Sequence, residues 1–151
     1  MSRPLYGGVM TDATDTTDIT AELERMAERA NGDGSLIRRG RFIDLEFMLQ
    51  IGDQAHYLCI QKGRVISVTP GPLLLHPWVF AIHIDAAAWP LFCQPMPRPG
   101  YHDIFAMCKL GMARIEGDLH PFIANLRYFK EVLAKAGPGP GDRMQEATHG
   151  R

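Results

Sequence analysis

"KLGMARIEGDLHPFIANLRYF", residues 109–129, is the stretch whose reading decides the fold. Gly111 stops the apolar segment before it, since glycine readily takes the left-handed conformation that ends helices. Met112, Ala113, Arg114, Ile115 and Glu116 then make a short run of strand character. Gly117-Asp118 opens a long amphipathic segment: Asp118 is a capping residue, and Pro121 falls in the first turn, where a missing N–H is tolerated. The helix predicted here carries Leu119, Phe122, Ile123, Leu126 and Leu133 on its core face, leaves Tyr128 and Phe129 off that stripe, and ends at Gly137-Pro138.

Upstream of this joint, residues 101–110 ("YHDIFAMCKL") predict a helix that is apolar nearly all round. A surface helix shows one apolar stripe, so this one needs apolar neighbours on two sides. The stiff loop "PMPRPG" (95–100) leads into it, and before that Asp85 caps a helix of "AAAWPLFCQ" weakened by Pro90. "WVFAIHI" (78–84) reads as a strand with Trp78, Phe80, Ile82 and Ile84 on one side, and the proline-rich "PGPLLLHP" (70–77) as a loop.

Further upstream, "RFIDLEFMLQI" (41–51) alternates strictly. Ile43, Leu45, Phe47, Leu49 and Ile51 face one way, and Asp44, Glu46 and Gln50 face water. Turns at Gly52-Asp53 and Lys62-Gly63 join it to strands at 55–61 and 64–69, which predicts an antiparallel meander. A first helix at 18–30, capped by Thr17 or Asp18, presents Ile19, Leu23, Met26, Ala27 and Ala30; "SLIRRG" adds a helical turn ending at Gly40. Residues 1–16 read as a loose arm and the Gly/Pro-rich 137–151 as a disordered tail, leaving one domain over 17–136. The order of elements predicts an α+β domain: a five-stranded, mostly antiparallel sheet covered on one face by helices.

At 151 residues, 46% hydrophobic and 22% charged, the chain can bury a core without staples. A formal net charge of −1 argues against a nucleic-acid partner, which calls for a basic stripe. The three cysteines, Cys59, Cys93 and Cys108, lack metal-site spacing and sit in apolar patterns, as thiols of a reducing compartment do. There is no charged-then-apolar leader at the start, no apolar run near the ~20 residues of a membrane span, and the final "THGR" is not a peroxisomal address. These features predict a cytoplasmic protein.

Chemistry-bearing motifs are sparse. None of the six histidines forms a metal-ligand pattern, so neither metal nor cofactor is expected. No nucleophile elbow, P-loop or dinucleotide fingerprint occurs. The acid–base candidates are His102 with Asp103, and His83. Arg38, Arg39 and Arg41 form a small basic run, suited to a solvated surface or to transient contact with an anionic membrane face.

"PWVFAIHIDAAAWPLF" followed by "GYHDIFAMCKLGMARIEGDLHPFIANLRYF" resembles the C-terminal two-thirds of the sterol carrier protein type 2 family. The likeness rests on Trp78, Phe80 and Ile82, on Trp89, Gly111 and Ile115, and on Gly117-Asp118 and Leu126, and extends over about residues 18–135. It implies an apolar tunnel between sheet and helices that takes sterols, fatty acids or acyl-CoA. The chain departs from the family in lacking the peroxisomal address and in its proline-rich loops, which bear on the tunnel mouth.

The expectation is non-enzymatic binding or transfer of an apolar small molecule in a cavity lined by residues among Trp78, Phe80, Trp89, Phe92, Phe105, Met107, Leu110 and Phe129, with helix 101–110 as a lid: the stiff loop holding Pro97 and Pro99 hands over to Gly100 as the hinge. Two alternatives stay open. One is a small enzyme using His102/Asp103 or His83 as acid or base. The other is a pocketless module that forms a homodimer through its apolar helices.

Overall fold

The computed structural model describes residues 19–137 apart from 95 and 98, so the arm at 1–16 and the tail beyond 137 lie outside the described residues. Residues 19–31 form helix α1, and Gly34–Arg39 form α2. Strands β1 (Asp44–Ile51), β2 (Gln54–Gln61) and β3 (Arg64–Pro70) make the meander. Strand β4 (Phe80–Ile84), helices α3 (Ala88–Phe92) and α4 (Ile104–Lys109), strand β5 (Ala113–Gly117) and helices α5 (His120–Ala124) and α6 (Leu126–Ala134) follow. The sheet order is β3-β2-β1-β4-β5, antiparallel throughout except for β1 beside β4. That single parallel pair arises because the chain leaves β3 at one edge and crosses back to the free side of β1.

The helices and the inner face of the sheet enclose the main core. Phe47, Leu49 and Ile51 of β1, Leu58 and Ile60 of β2, and Phe80, Ile82 and Ile84 of β4 meet Leu23 and Met26 of α1, Leu36 of α2, Met107 of α4 and Phe122 of α5. Ile43, Phe47, Leu49, Ile82 and Phe122 are buried as the alternation predicts. Leu45, Ile115 and Leu126 are only half-buried, Ile115 because β5 is an edge strand.

Three sequence expectations are corrected. The closing helix is not continuous: Asn125 takes a non-helical conformation (φ −121°, ψ 34°) and splits it. The break resets the helical phase, so α6 buries Tyr128, Phe129, Val132 and Leu133, while Ile123 is turned outward. Asp118 does not cap α5 in the expected position, because Leu119 is the N-cap; the Asp118 carboxylate instead accepts from the His120 N–H at 3.1 Å. Finally, Trp78 does not share a side with Phe80, Ile82 and Ile84. Strand pairing starts only at Phe80, so the alternation does not reach back to residue 78.

Trp78 lies instead against Met48, Ala55, Tyr57 and Ala81, on the sheet face away from the helices. The segment 71–79 passes over this face. The Tyr57 hydroxyl accepts from the Leu73 N–H at 3.3 Å, the Tyr57 and His76 rings are 4.4 Å apart, and His76 Nε2 reaches Glu46 Oε2 at 2.6 Å. The face expected to be wet is therefore partly covered by its own loop.

Candidate functional site: two cavities and the aromatic pair between them

Four phenylalanines form the centre of the helical side. Phe47 stacks on Phe80 at 5.1 Å, and Phe129 meets Phe47, Phe80 and Phe122 edge-on or tilted at 5.6, 5.2 and 5.7 Å. All four are buried. Such offset and T-shaped contacts suit the quadrupoles of aromatic rings. Phe80, Phe129 and Met107, three of the residues proposed from sequence, are thus packed against neighbours here.

Space is found on either side of α3. A groove of about 900 Å³ runs along the end of the sheet where β1 and β4 finish. Its apolar surface comes from Ile51, Ile84, Trp89, Met112 and Ala113, and its polar rim includes Gln50, Gln54, His83 and Arg114. A second pocket of about 350 Å³ lies between the α3–α4 connection and α6. Phe92, Ile104, Leu133 and Ala134 supply its apolar wall, and His102, Asp103, Lys130 and Glu131 its polar one. Trp89 lines the groove and Phe92 lines the pocket, and the two rings stack on each other at 5.7 Å. Each ring of the stacked pair therefore borders a different space.

The local sequence explains how α3 presents both rings. The helix has five residues, no side-chain N-cap bond and a proline, Pro90, which contributes no N–H. Asp85 steadies the turn ahead of it: its carboxylate accepts from the Ala87 N–H at 2.8 Å and its carbonyl from Ala88 and Trp89. The indole N–H of Trp89 donates to Glu22 of α1 at 2.8 Å, so that ring is tethered at its polar end. Phe92 has no such tether, being hydrocarbon.

Helix α4 starts later than the sequence suggests. Asp103 caps it by accepting from the Ala106 N–H at 2.9 Å, which leaves Tyr101 and His102 in the preceding loop. Gly100 (φ +94°) and Gly111 (φ +77°) bracket the segment. The helix buries Ile104 and Met107, while Phe105 (37% exposed, 5.9 Å from Phe122) and Leu110 (50% exposed) reach the surface. Of the eight residues proposed from sequence, the fold gathers Phe80, Met107 and Phe129 in the core, Trp89 and Phe92 at the cavities, and Phe105 and Leu110 at the rim of α4, with Trp78 alone on the far face.

His102, Asp103 and His83 have ion-pair or hydrogen-bond partners. His102 Nε2 lies 3.6 Å from Asp103, which also faces Lys130 at 3.8 Å. Burial works to raise the Asp103 carboxyl, but the Ala106 backbone N–H and Lys130 hold it below its ordinary value. His83 pairs with Glu116 at the groove, and Arg114 stands 3.8 Å from the same carboxylate. The thiols are free and unactivated: burial raises Cys59 and Cys108 and pushes Cys93 up to about 12. Among the described residues no cluster of His, Cys, Asp and Glu could hold a metal, and no helix is long and apolar enough to cross a membrane.

Solved structures of low sequence identity share this architecture. A crystal structure of sterol carrier protein 2 superposes with a TM-score of 0.61 at 14% identity, over 77% of this chain and 93% of that one. The chain has the sterol carrier protein 2 fold. A conserved hypothetical protein from Thermus thermophilus, for which a sterol carrier identity is suggested, gives 0.57 at 14% identity over 80% of this chain and 89% of that one. The ubiquinone synthesis protein UbiJ-SCP2 gives 0.52 at 13% identity over 83% and 98%. No protein-family model and no curated protein matches the sequence. Within the sterol carrier protein 2 fold, sequence reasoning named Trp89 and Phe92 but missed that they stack. It also missed Leu133, Ala134 and Lys130 as pocket wall, because the phase of α6 depends on the break at Asn125.

Proposed function

We propose that this chain binds or transfers an apolar small molecule of the lipid, fatty acyl or steroid-like class on the helical side of its sheet. The observation that carries this reading is the Trp89–Phe92 stack with space on both sides of it. A pocket of about 350 Å³ with an apolar wall and a few polar groups at its rim suits a small amphiphile. In this reading Lys130 and His102 meet the polar end of the ligand and Phe92, Ile104 and Leu133 its chain. Turning Phe92 aside would join pocket and groove into one channel past Trp89. Phe105 of α4 and Leu110 just after it would then close over the ligand, with Met107, Phe80 and Phe129 remaining in the packed core behind them. Trp78, on the far face, takes no part. The fold shared with sterol carrier protein 2 supports the same reading.

The test is a series of straight-chain fatty acids titrated into purified protein, read by Trp89 fluorescence in a Trp78→Phe background. Each added methylene contributes ~0.8 kcal/mol, about fourfold in affinity, until the space is full. The ordering of ligand and lid subtracts a constant from the series. Affinity that does not depend on chain length would overturn the proposal. Native mass spectrometry of the same preparation is expected to show retained lipid as added mass.

A further inference from the structure

We infer that the corner where α2 meets the β2–β3 turn docks on an anionic lipid surface. Two features that sequence alone could not join are brought together here. Gly63 of the turn sits so close to Ile37 and Gly40 that a Cβ there would run into their backbone atoms. This contact sets Lys62 and Arg64 beside Arg38, Arg39 and Arg41, all of them exposed. Arg39 is committed to Glu131 at 2.6 Å, and the carboxylate of Asp44 accepts from the Lys62 backbone N–H at 2.9 Å. Arg41 donates from Nη1 to the Arg38 carbonyl at 2.7 Å and stays exposed, as do the side chains of Arg38, Lys62 and Arg64. The chain as a whole has a formal net charge of −1, so this cluster is a local positive field on a near-neutral molecule.

The second feature is Phe42, which follows Arg41 on this corner and is 84% exposed. A lone exposed aromatic is ordinary; this one is held rigidly outward. The next residue, Ile43, is buried and its N–H donates to the Gly40 carbonyl at 2.8 Å, while the Arg41 N–H donates to Arg38 at 3.4 Å. The Arg41 guanidinium sits 4.6 Å from the Phe42 ring centre. An exposed aromatic ring on a hydrogen-bonded turn, on the same corner as the arginines and lysine, has what an anionic bilayer surface selects: apolar area for the interfacial layer and cations for the headgroups. Nucleic acid would use the cations but gives Phe42 no required role on a duplex. The corner also adjoins the proposed ligand site, since Glu131, partner of Arg39, lines the pocket beside α6. Docking does not need the pocket to be occupied, so it stands or falls separately from the ligand proposal.

The experiment is co-sedimentation of the full chain with phosphatidylcholine vesicles, with and without phosphatidylserine. Binding is expected only with phosphatidylserine, and it should weaken as salt is raised. At roughly fivefold per cation, Arg38→Gln with Arg41→Gln should lower vesicle affinity about twenty-fivefold. Phe42→Ser should lower it severalfold in a way that salt does not mimic. All three side chains are exposed, so thermal melts of the variants should match the parent. Leu74→Ser with Leu75→Ser alters an exposed pair on the other face of the sheet and should bind as the parent does. Equal binding to both vesicle types, loss with the leucine variant instead of the corner variants, or retention of single-stranded RNA in place of vesicles would each overturn the assignment.

Discussion

Two groups of aromatic rings on the same side of this sheet differ in their surroundings. The Phe47–Phe80–Phe122–Phe129 cluster has sheet beneath it and helices above and at its flanks, and its rings fill the space between. The Trp89–Phe92 pair has a cavity on each side and rides on a five-residue helix containing a proline. Both groups are buried. The difference lies in what a ring could move into: the first has only other side chains, the second has open space. Burial alone therefore does not separate structural aromatics from ones that can handle a ligand.

The largest effect expected is from breaking the closed group. Phe129→Ala should cost ~3–5 kcal/mol, because its ring touches four others and nothing can relax into the void. Phe92→Ala removes the same ring from a wall that already borders open space, and should cost about 2 kcal/mol or less. Urea unfolding of the two variants checks the contrast directly. Equal losses would mean that the two groups are packed alike, and would count against a Phe92 ring that can move into the space beside it.

A second prediction sharpens the same contrast in the first turn of α6. Gly40 lies against the buried Tyr128 ring, whose hydroxyl donates to the Gly63 carbonyl at 2.7 Å. A Cβ at residue 40 would overlap that ring, and the hydrogen bond keeps the ring from yielding. Gly40→Val should therefore cost ~1–3 kcal/mol, as overpacking of a filled core does. The same change at Gly111 meets nothing within 4 Å, so any cost there comes from its positive φ alone.

Much of this was legible in the sequence, and the exceptions have physical causes. Period-two alternation in 41–51 and the Gly-containing turns fixed the meander, because each signal is local. The break at Asn125 was not visible, since a helix-compatible residue is forced out of the helix only by how its neighbours pack; the phase of Tyr128 and Phe129 went with it. The displacement of Trp78 had a related cause, a strand that begins two residues later than its apolar pattern. The cavities were least legible of all. A pocket is a property of what fails to meet across distant segments, and α3 and α6 carry no motif that announces the space beside them.

His56 offers a third test, by pH. It is fully buried beneath α1, with Nε2 2.9 Å from the Thr20 hydroxyl. Burial pushes its imidazole below the ordinary value. The folded state therefore prefers the neutral ring, whereas the unfolded chain takes up a proton near the usual pKa of about 6.5. The stability this contributes is whole above that pH and is lost as pH falls from there through the depressed folded value. Melting temperature should decline over that window in the parent and decline less in His56→Asn. An identical acid profile in the two proteins would remove His56 as the cause.

The smallest expected effect on stability is also the one most tied to function. Phe105 is 37% exposed on α4, with an edge contact to Phe122 at 5.9 Å. Its substitution by serine removes one partly exposed ring from the outside of the closed cluster, so unfolding should shift by no more than about 1 kcal/mol. If α4 closes over a ligand as proposed, that ring passes from water to the bound chain, and the loss should appear in binding instead. Fatty-acid affinity is then expected to fall severalfold while the melting temperature barely moves. Hydrogen exchange at 101–110 gives the second readout: protection should rise on saturation in the parent and rise less in Phe105→Ser. An affinity unchanged by Phe105→Ser, with exchange at α4 indifferent to ligand, would confine binding to the pocket and groove and leave α4 as an ordinary wall of the core.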